Sequence, residues 1–126
     1  MSKYAFTRSR RLLNSSDFQP VFDSAPFRAS HKYFLILARP SNTDTSRLGL
    51  VIAKKNIKLA VDRNRIKRLV RECFRQLTAD DVAVDAVFLT RRGLGEMDNA
   101  EFTKQLQQQW QRVFKKARKA QITPES

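Results

Sequence analysis

Apolar residues recur at helical spacing in two long segments of the chain, one from roughly Asp62 to Leu77 and one that begins near Asp98. Spacings of three and four residues predict amphipathic helices that each bury one face. The predicted inward residues are Ile66, Leu69, Val70, Cys73, Phe74 and Leu77 in the first segment, and Phe102, Leu106, Trp110, Val113, Phe114 and Ala117 in the second.

A shorter helix is predicted near the N-terminus. The sequence Ser16 to Gln19 has the capping-box pattern, in which the serine accepts from the first turn and the glutamine reaches back. Pro20 would then lie in the first turn, where its missing amide costs least, and the helix would end near Ala25. Its apolar face is predicted to contain Phe18, Val21 and Phe22.

Four short segments have strand character. Phe27–Ser30 is a weak signal, whereas Tyr33–Ala38 is a nearly continuous apolar run of the kind that is covered on both faces. Leu48–Ala53 and Asp85–Thr90 are the other two. Residues 39–45 are rich in turn formers, so we expect the second and third strands to form a hairpin.

The predicted order is α-β-β-β-α-β-α, with short connections because glycine and proline are scarce. The strand–helix–strand unit around the second helix requires a parallel pair, and the other pairs make the sheet mixed. We therefore expect an α+β fold in which helices pack a mixed sheet. The predicted organisation is a basic N-terminal arm at 1–13, a single domain at 14–119 and a C-terminal tail at 120–126.

Charge indicates the class of partner. The 126 residues include 25 Lys and Arg against 12 Asp and Glu, a net charge of +13. This exceeds the roughly 2–8 charges that keep a small domain soluble, so we expect a polyanion, most commonly a nucleic acid. A merely solvated basic surface is the simpler alternative.

The cations concentrate on the second helix and the loop before it. Between Lys54 and Arg75 there are nine basic residues and two acids. On a helical wheel Asn64, Arg68, Arg71 and Arg75 lie within about 60° of one another, opposite the apolar stripe. Such a row repels itself unless phosphates neutralise it, and arginine can bridge two phosphate oxygens.

Other classes of protein are less consistent with the sequence. No run approaches the ~20 apolar residues of a membrane span, and the N-terminus lacks the apolar run of a secretory signal. The single cysteine, Cys73, cannot form an internal disulfide, which suits the cytoplasm. We expect no catalytic residue and no metal site, because His31 is the only histidine, Cys73 lies on an apolar stripe and the acids lack metal-ligand spacing.

The segment Ala60–Glu72, with its Arg63-Asn64-Arg65 core and the preceding Lys54-Lys55 pair, resembles the signature of the bacterial ribonuclease P protein component. Phe6–Leu12 is similar to that family's N-terminal arm, and Asp17–Phe22 to its aromatic first helix. The resemblance covers about residues 6–118. It implies a ribonuclease P protein-like (ribosomal S5 domain 2-like) fold, with a left-handed connection around the second helix.

The resemblance also implies a function. Proteins of this family bind a catalytic RNA, and that RNA uses Mg²⁺ to remove the 5′ leader of precursor tRNA, with no organic cofactor and one protein per RNA. The positions that match the family's RNA-binding surface are Arg11, Lys54, Lys55, Arg63, Asn64, Arg65, Lys67, Arg68 and Arg71.

The single-stranded leader would lie in a cleft between the first helix and the sheet. The corresponding positions are Phe18, Phe22, Leu35 and Leu37, although Leu37 replaces a residue that is often aromatic in the family. Bases stack on exposed aromatic rings without demanding a sequence. The alternative is that Phe18 and Phe22 belong to the core.

Two other functions fit the charge and size. One is a structural RNA-binding protein such as a ribosomal protein. Only the Arg-Asn-Arg block favours a ribonuclease P protein over this alternative. The other is a DNA-binding module, for which no dimer spacing or zinc pattern is present.

Overall fold

A computed structural model describes residues 15–41, 45–77 and 82–122. Three helices and four strands follow the predicted order, and a short 3₁₀ turn at Leu94–Glu96 precedes the last helix. The elements are α1 (Ser15–Asp23), β1 (Phe27–Ser30), β2 (Phe34–Pro40), β3 (Arg47–Val51), α2 (Ala60–Leu77), β4 (Val84–Thr90) and α3 (Asn99–Ile122).

The four strands form one mixed sheet in the order β1-β2-β4-β3. β1 pairs antiparallel with β2, and β2 pairs antiparallel with β4. The predicted parallel pair is confirmed, because β3 and β4 run parallel on either side of α2 in the sequence. The predicted hairpin between β2 and β3 is wrong, since β4 lies between these strands and pairs with both.

One face of the sheet carries the main core. Phe34, Ile36 and Phe88 point to this side and are fully buried under α2 and α3. The described apolar residues of the two predicted helical stripes are buried there, except that Leu69 is only half-buried. The α+β class, with helices packed on a mixed sheet, is therefore confirmed.

The opposite face of the sheet is only partly covered. α1 packs there against β2 and β4, where Val21 and Val87 are fully buried. Leu35 and Leu37 of β2 remain half-buried, so this strand is not fully covered on both faces as its apolar run predicted. α1 has nine residues, fewer than the 18 of α2 and the 24 of α3 on the opposite face.

Local details of the helix ends differ from the prediction in α1 and agree with it in α3. Gln19 Nε2 donates to Asp23 Oδ1 at 2.7 Å, so this side chain reaches forward and not back as a capping box requires. Pro20 lies inside α1 and not in its first turn. At α3, Asp98 Oδ1 accepts from the backbone N–H of Glu101 at 2.8 Å, which is the predicted cap.

The predicted basic arm at 1–13, including Arg11, lies outside the described residues, as do the last four residues of the predicted tail. α3 continues to Ile122, past residue 119 where the sequence suggested the end of the domain. Within the described ranges, no helix combines the length and the apolar character needed to cross a membrane.

Candidate nucleic-acid interface

The outward side of α2 presents the predicted row of polar and basic side chains. Asn64 and Arg68 are exposed, whereas Arg71 and Arg75 are half-buried. Arg68, Arg71 and Arg75 line a shallow groove of about 240 Å³ together with Glu72, which forms an ion pair with Arg75. The buried stripe of α2 lies on the other side, so the cations cannot turn inward without exposing the core.

Both arginines of the Arg-Asn-Arg block have partners within the protein. Arg63 Nη1 donates to the carbonyl oxygens of Ile57 at 2.9 Å and Lys58 at 2.8 Å. The guanidinium of Arg65 donates to three acceptors near the start of α3: the Gly95 carbonyl (3.0 Å), the Met97 carbonyl (3.2 Å) and Asn99 Oδ1 (2.6 Å). The block therefore holds the surrounding loops in place, while Asn64 faces solvent.

The loop between β3 and α2 presents Lys54 and Lys55 as exposed cations. This loop is fixed to the end of β4, because Asn56 Nδ2 donates to the Thr90 carbonyl at 2.9 Å. Thr90 Oγ1 in turn accepts from the backbone N–H of Ala53 at 3.2 Å. The sequence interpretation missed Asn56 and Thr90, since no local pattern links positions 34 residues apart.

The leader-site residues predicted from the resemblance lie on α1 and on the face of the sheet against which α1 packs. Phe18 and Leu37 are both half-buried and pack against the cluster of Val21 and Val87, and the Phe18 ring stacks on that of Phe22 with centroids 6.1 Å apart. Phe22 is 44% exposed, so it is not an ordinary core residue. Leu35 lies two residues before Leu37 on the same face of β2. Arg28, which the sequence interpretation missed, faces Leu37 from the edge strand β1.

An ion-pair cluster anchors α1 to this face. Arg47 on β3 makes two hydrogen bonds to the buried carboxylate of Asp85 on β4, at 3.0 and 2.8 Å, and also lies 3.9 Å from Asp17 on α1. Hydrogen bonding to Asp85 raises the pKa of Arg47. Arg39 Nη1 donates to the Pro20 carbonyl at 3.1 Å. These contacts fix the position of Phe18 and Phe22 over the strands.

The single histidine is engaged in contacts with its neighbours, and the single cysteine is buried. The His31 ring stacks on Phe34 at 4.6 Å between centroids, and its Nδ1 accepts from the backbone N–H of Tyr33 at 3.1 Å. Burial raises the pKa of Cys73 to about 12, which keeps the thiol protonated at neutral pH. Among residues 15–41, 45–77 and 82–122, no three His, Cys, Asp or Glu side chains are grouped to hold a metal ion.

Sequence comparison identifies the family. The family model described as Ribonuclease P matches residues 6–114. The chain belongs to the ribonuclease P protein family. It is 48% identical over 120 residues to the ribonuclease P protein component of Saccharophagus degradans, covering 95% of this chain and 89% of that one. It is 46% identical to the Chromohalobacter salexigens protein component, covering 97% and 95% of the two chains.

Solved structures of ribonuclease P proteins have the same fold. The Staphylococcus aureus protein superimposes with a TM-score of 0.68 at 28% identity, covering 86% of this chain and 94% of that one. The Thermotoga maritima protein gives a TM-score of 0.66 at 30% identity, covering 84% and 96%. As a member of the ribonuclease P family, the chain is a tRNA-processing subunit of a ribonucleoprotein nuclease.

Proposed function

We propose that this ribonuclease P protein binds the catalytic RNA through the outward side of α2 and the loop before it. The observation that carries the proposal is the two-sided character of α2: its apolar face is buried in the core, while Asn64 and Arg68 are exposed on the other side with the half-buried Arg71 beside them. The proposed contact residues are Lys54, Lys55, Asn64, Lys67, Arg68 and Arg71, with Arg11 of the N-terminal arm. Phosphates would neutralise their mutual repulsion.

In this proposal, the main role of Arg63 and Arg65 is to hold the neighbouring backbone in position. Their donors bond to carbonyl groups of the loops on either side of the start of α2. These bonds hold in place the backbone that carries Lys54, Lys55 and Asn64. A preformed surface binds RNA more tightly because less ordering is required on binding.

We further propose that the 5′ leader of precursor tRNA lies in the groove between α1 and the sheet. Phe22 offers an exposed ring, and Phe18, Leu35 and Leu37 offer half-buried apolar surface beside it. Base stacking on such a surface tolerates any leader sequence, as a processing enzyme with many substrates requires. Arg28, exposed on the edge strand, lies where it could pair with a leader phosphate.

Cleavage itself is assigned to the RNA subunit and its bound Mg²⁺, in a complex of one protein per RNA in the cytoplasm. Phosphate oxygens are the hard ligands that Mg²⁺ prefers. The protein would assist by screening phosphate repulsion between the RNA and its substrate. This division is supported by the engaged ring of His31 and the protonated thiol of Cys73.

The test of the main proposal is cleavage of precursor tRNA by the catalytic RNA at low Mg²⁺, with and without the protein. We expect the protein to restore cleavage that the RNA alone performs poorly. Arg68→Ala should weaken this stimulation, whereas Arg112→Ala removes the same charge from the exposed side of α3 and should leave it unchanged. A wild-type protein that gives no stimulation would contradict the assignment.

The leader groove is tested separately with Phe22→Ala. A stacked base contributes roughly 1–3 kcal/mol, so we expect affinity for a long-leader substrate to fall about 5- to 150-fold. A substrate with a one-nucleotide leader should bind as before, and Phe22→Tyr, which keeps the ring, should behave like the wild type. Equal losses on both substrates would place the leader elsewhere.

A further inference from the structure

An open cleft of about 660 Å³ lies between the β3–α2 loop and the turn that follows β4. This volume is within the roughly 300–1,000 Å³ of typical small-molecule sites. The loop side contributes Lys55, Ile57, Lys58 and Leu59, and the turn side contributes Arg92. The remaining lining residues are Asn56, Asp62, Gly93, Gly95 and Glu96.

Two arginines near the start of α2 hold the walls of the cleft in place. Arg63 bonds to the Ile57 and Lys58 carbonyls of one wall, and Arg65 bonds to the Gly95 carbonyl of the other. A Cβ added at Gly95 would lie 3.5 Å from Ile57 Cγ2, so the two walls lie close to each other at this point. The cleft is therefore preformed, which lowers the ordering cost of binding.

The lining combines three kinds of chemistry. Lys55, Lys58 and Arg92 are exposed cations for which the described part of the chain shows no side-chain partner. Leu59, which is 61% exposed, lines the cleft beside these charges and offers apolar surface to a ligand. Asp62 and Glu96 supply carboxylates, although Asp62 also lies 3.7 Å from Arg65.

This combination fits one type of ligand better than a simple anion. A phosphate alone would be repelled by the two carboxylates and would leave the exposed leucine without a partner. A nucleotide uses all three features: its phosphate pairs with the cations, its base packs on Leu59, and an amino group on the base donates to a carboxylate.

We propose that this cleft binds a single unstacked nucleotide of the RNA partner, with the phosphate on Lys55, Lys58 and Arg92 and the base against Leu59. The proposal rests on the proposed RNA-binding function and adds a defined nucleotide subsite to it. The basic row on α2 contacts phosphates along a strand, whereas this cleft recognises one base together with its phosphate.

The experiment uses the three glycines of the chain as reporters. Gly93 and Gly95 line the cleft, whereas Gly49 is buried in β3 and serves as an internal control. The full-length protein, labelled with ¹⁵N only at glycine, is titrated with cytidine monophosphate and followed by NMR. We expect saturable shifts of the Gly93 and Gly95 signals in the millimolar range and no shift of Gly49.

Two further titrations and matched variants complete the test. Inorganic phosphate and cytidine, which each lack half of the ligand, should give much weaker shifts than cytidine monophosphate. Arg92→Ala and Lys58→Ala should each weaken binding about tenfold, as for loss of a charge-assisted contact. Arg112→Ala and Lys104→Ala, which remove exposed cations from α3, should not change it.

The proposal is overturned if Gly93 and Gly95 do not shift, if all three glycines shift alike, or if inorganic phosphate reproduces the response. A wild-type protein that binds no mononucleotide but still stimulates cleavage of precursor tRNA would remove the cleft proposal and leave the proposed function intact. Failure of both assays would remove both.

Discussion

Replacing Arg65 with alanine should destabilise the protein without reducing the number of phosphates that it contacts. The Arg65 guanidinium joins α2 to the segment before α3 through the Gly95 and Met97 carbonyls and Asn99 Oδ1. Arg68, three residues later, is exposed on the outward side of α2. The two arginines therefore separate a positioning role from a contact role within a single helix.

The expected magnitude follows from the three hydrogen bonds of Arg65. Each bond from a charged donor contributes roughly 1.5–3 kcal/mol net. The Arg65 side chain is 20% exposed, so water can replace part of what is lost. We expect Arg65→Ala to lower the free energy of unfolding by about 2–4 kcal/mol, a large share of the roughly 5–15 kcal/mol of a small domain. Arg68→Ala should change it by less than about 0.5 kcal/mol.

Urea unfolding, followed by the fluorescence of Trp110, measures the free energy of unfolding of each variant. This residue is the single tryptophan of the chain and is fully buried. The salt dependence of catalytic-RNA binding measures the number of phosphate contacts. Arg68→Ala should reduce the slope of log affinity against log salt concentration by about 0.7–0.9. Arg65→Ala, assayed where it is folded, should keep the wild-type slope. A reduced slope with unchanged stability for Arg65→Ala would refute the distinction.

The remaining predictions concern two buried ionisable groups, Asp85 and Cys73. Asp85→Ala leaves Arg47 without its bidentate partner and should lower the free energy of unfolding by about 2–4 kcal/mol. This loss is smaller than for a fully buried ion pair, because the Arg47 side chain is 25% exposed. Denaturant unfolding measures the loss, and a change near zero would contradict the prediction. The Cys73 thiol should resist thiol reagents at pH 8 until the protein unfolds. The pKa of Cys73 is raised from 9.0 to about 12 in the folded protein, so the thiol of the unfolded chain loses its proton at a lower pH than that of the folded protein. The free energy of unfolding should therefore fall as the pH rises from about 9 to about 12, by at most about 1.4 kcal/mol per pH unit. Cys73→Ala should lack this component, and equal pH profiles for the two proteins would contradict it.

The helices and the class of the fold could be predicted from the sequence because their signals are local. The apolar spacing of α2 and α3 directly gives the buried faces, and Asp98 gives the start of α3. The sheet order could not be predicted in this way. β4 inserts between β2 and β3, although residues 39–45 suggested a hairpin, because strand pairing depends on contacts between distant segments.

The candidate site could likewise be predicted only where it depends on local sequence. The outward row on α2 follows from helical geometry, and Asn64 and Arg68 are exposed as expected. The internal bonds of Arg65 could not be inferred, since its acceptors lie 30 to 34 residues away. The cleft between the β3–α2 loop and the turn after β4 was also not visible in the sequence, because tertiary structure alone brings Leu59 and Arg92 to one site.

The most direct test of RNA binding by the α2 surface is the salt dependence of catalytic-RNA affinity for a triple variant, Lys54→Ala/Lys55→Ala/Arg68→Ala. Removing three phosphate contacts should reduce the log–log slope by about 2–3 units. A matched triple variant on the exposed side of α3, Lys104→Ala/Arg112→Ala/Lys115→Ala, should change it by less than one unit. A wild-type slope for the first variant, or an equal loss for the second, would contradict the assignment of the RNA-binding surface to α2 and its preceding loop.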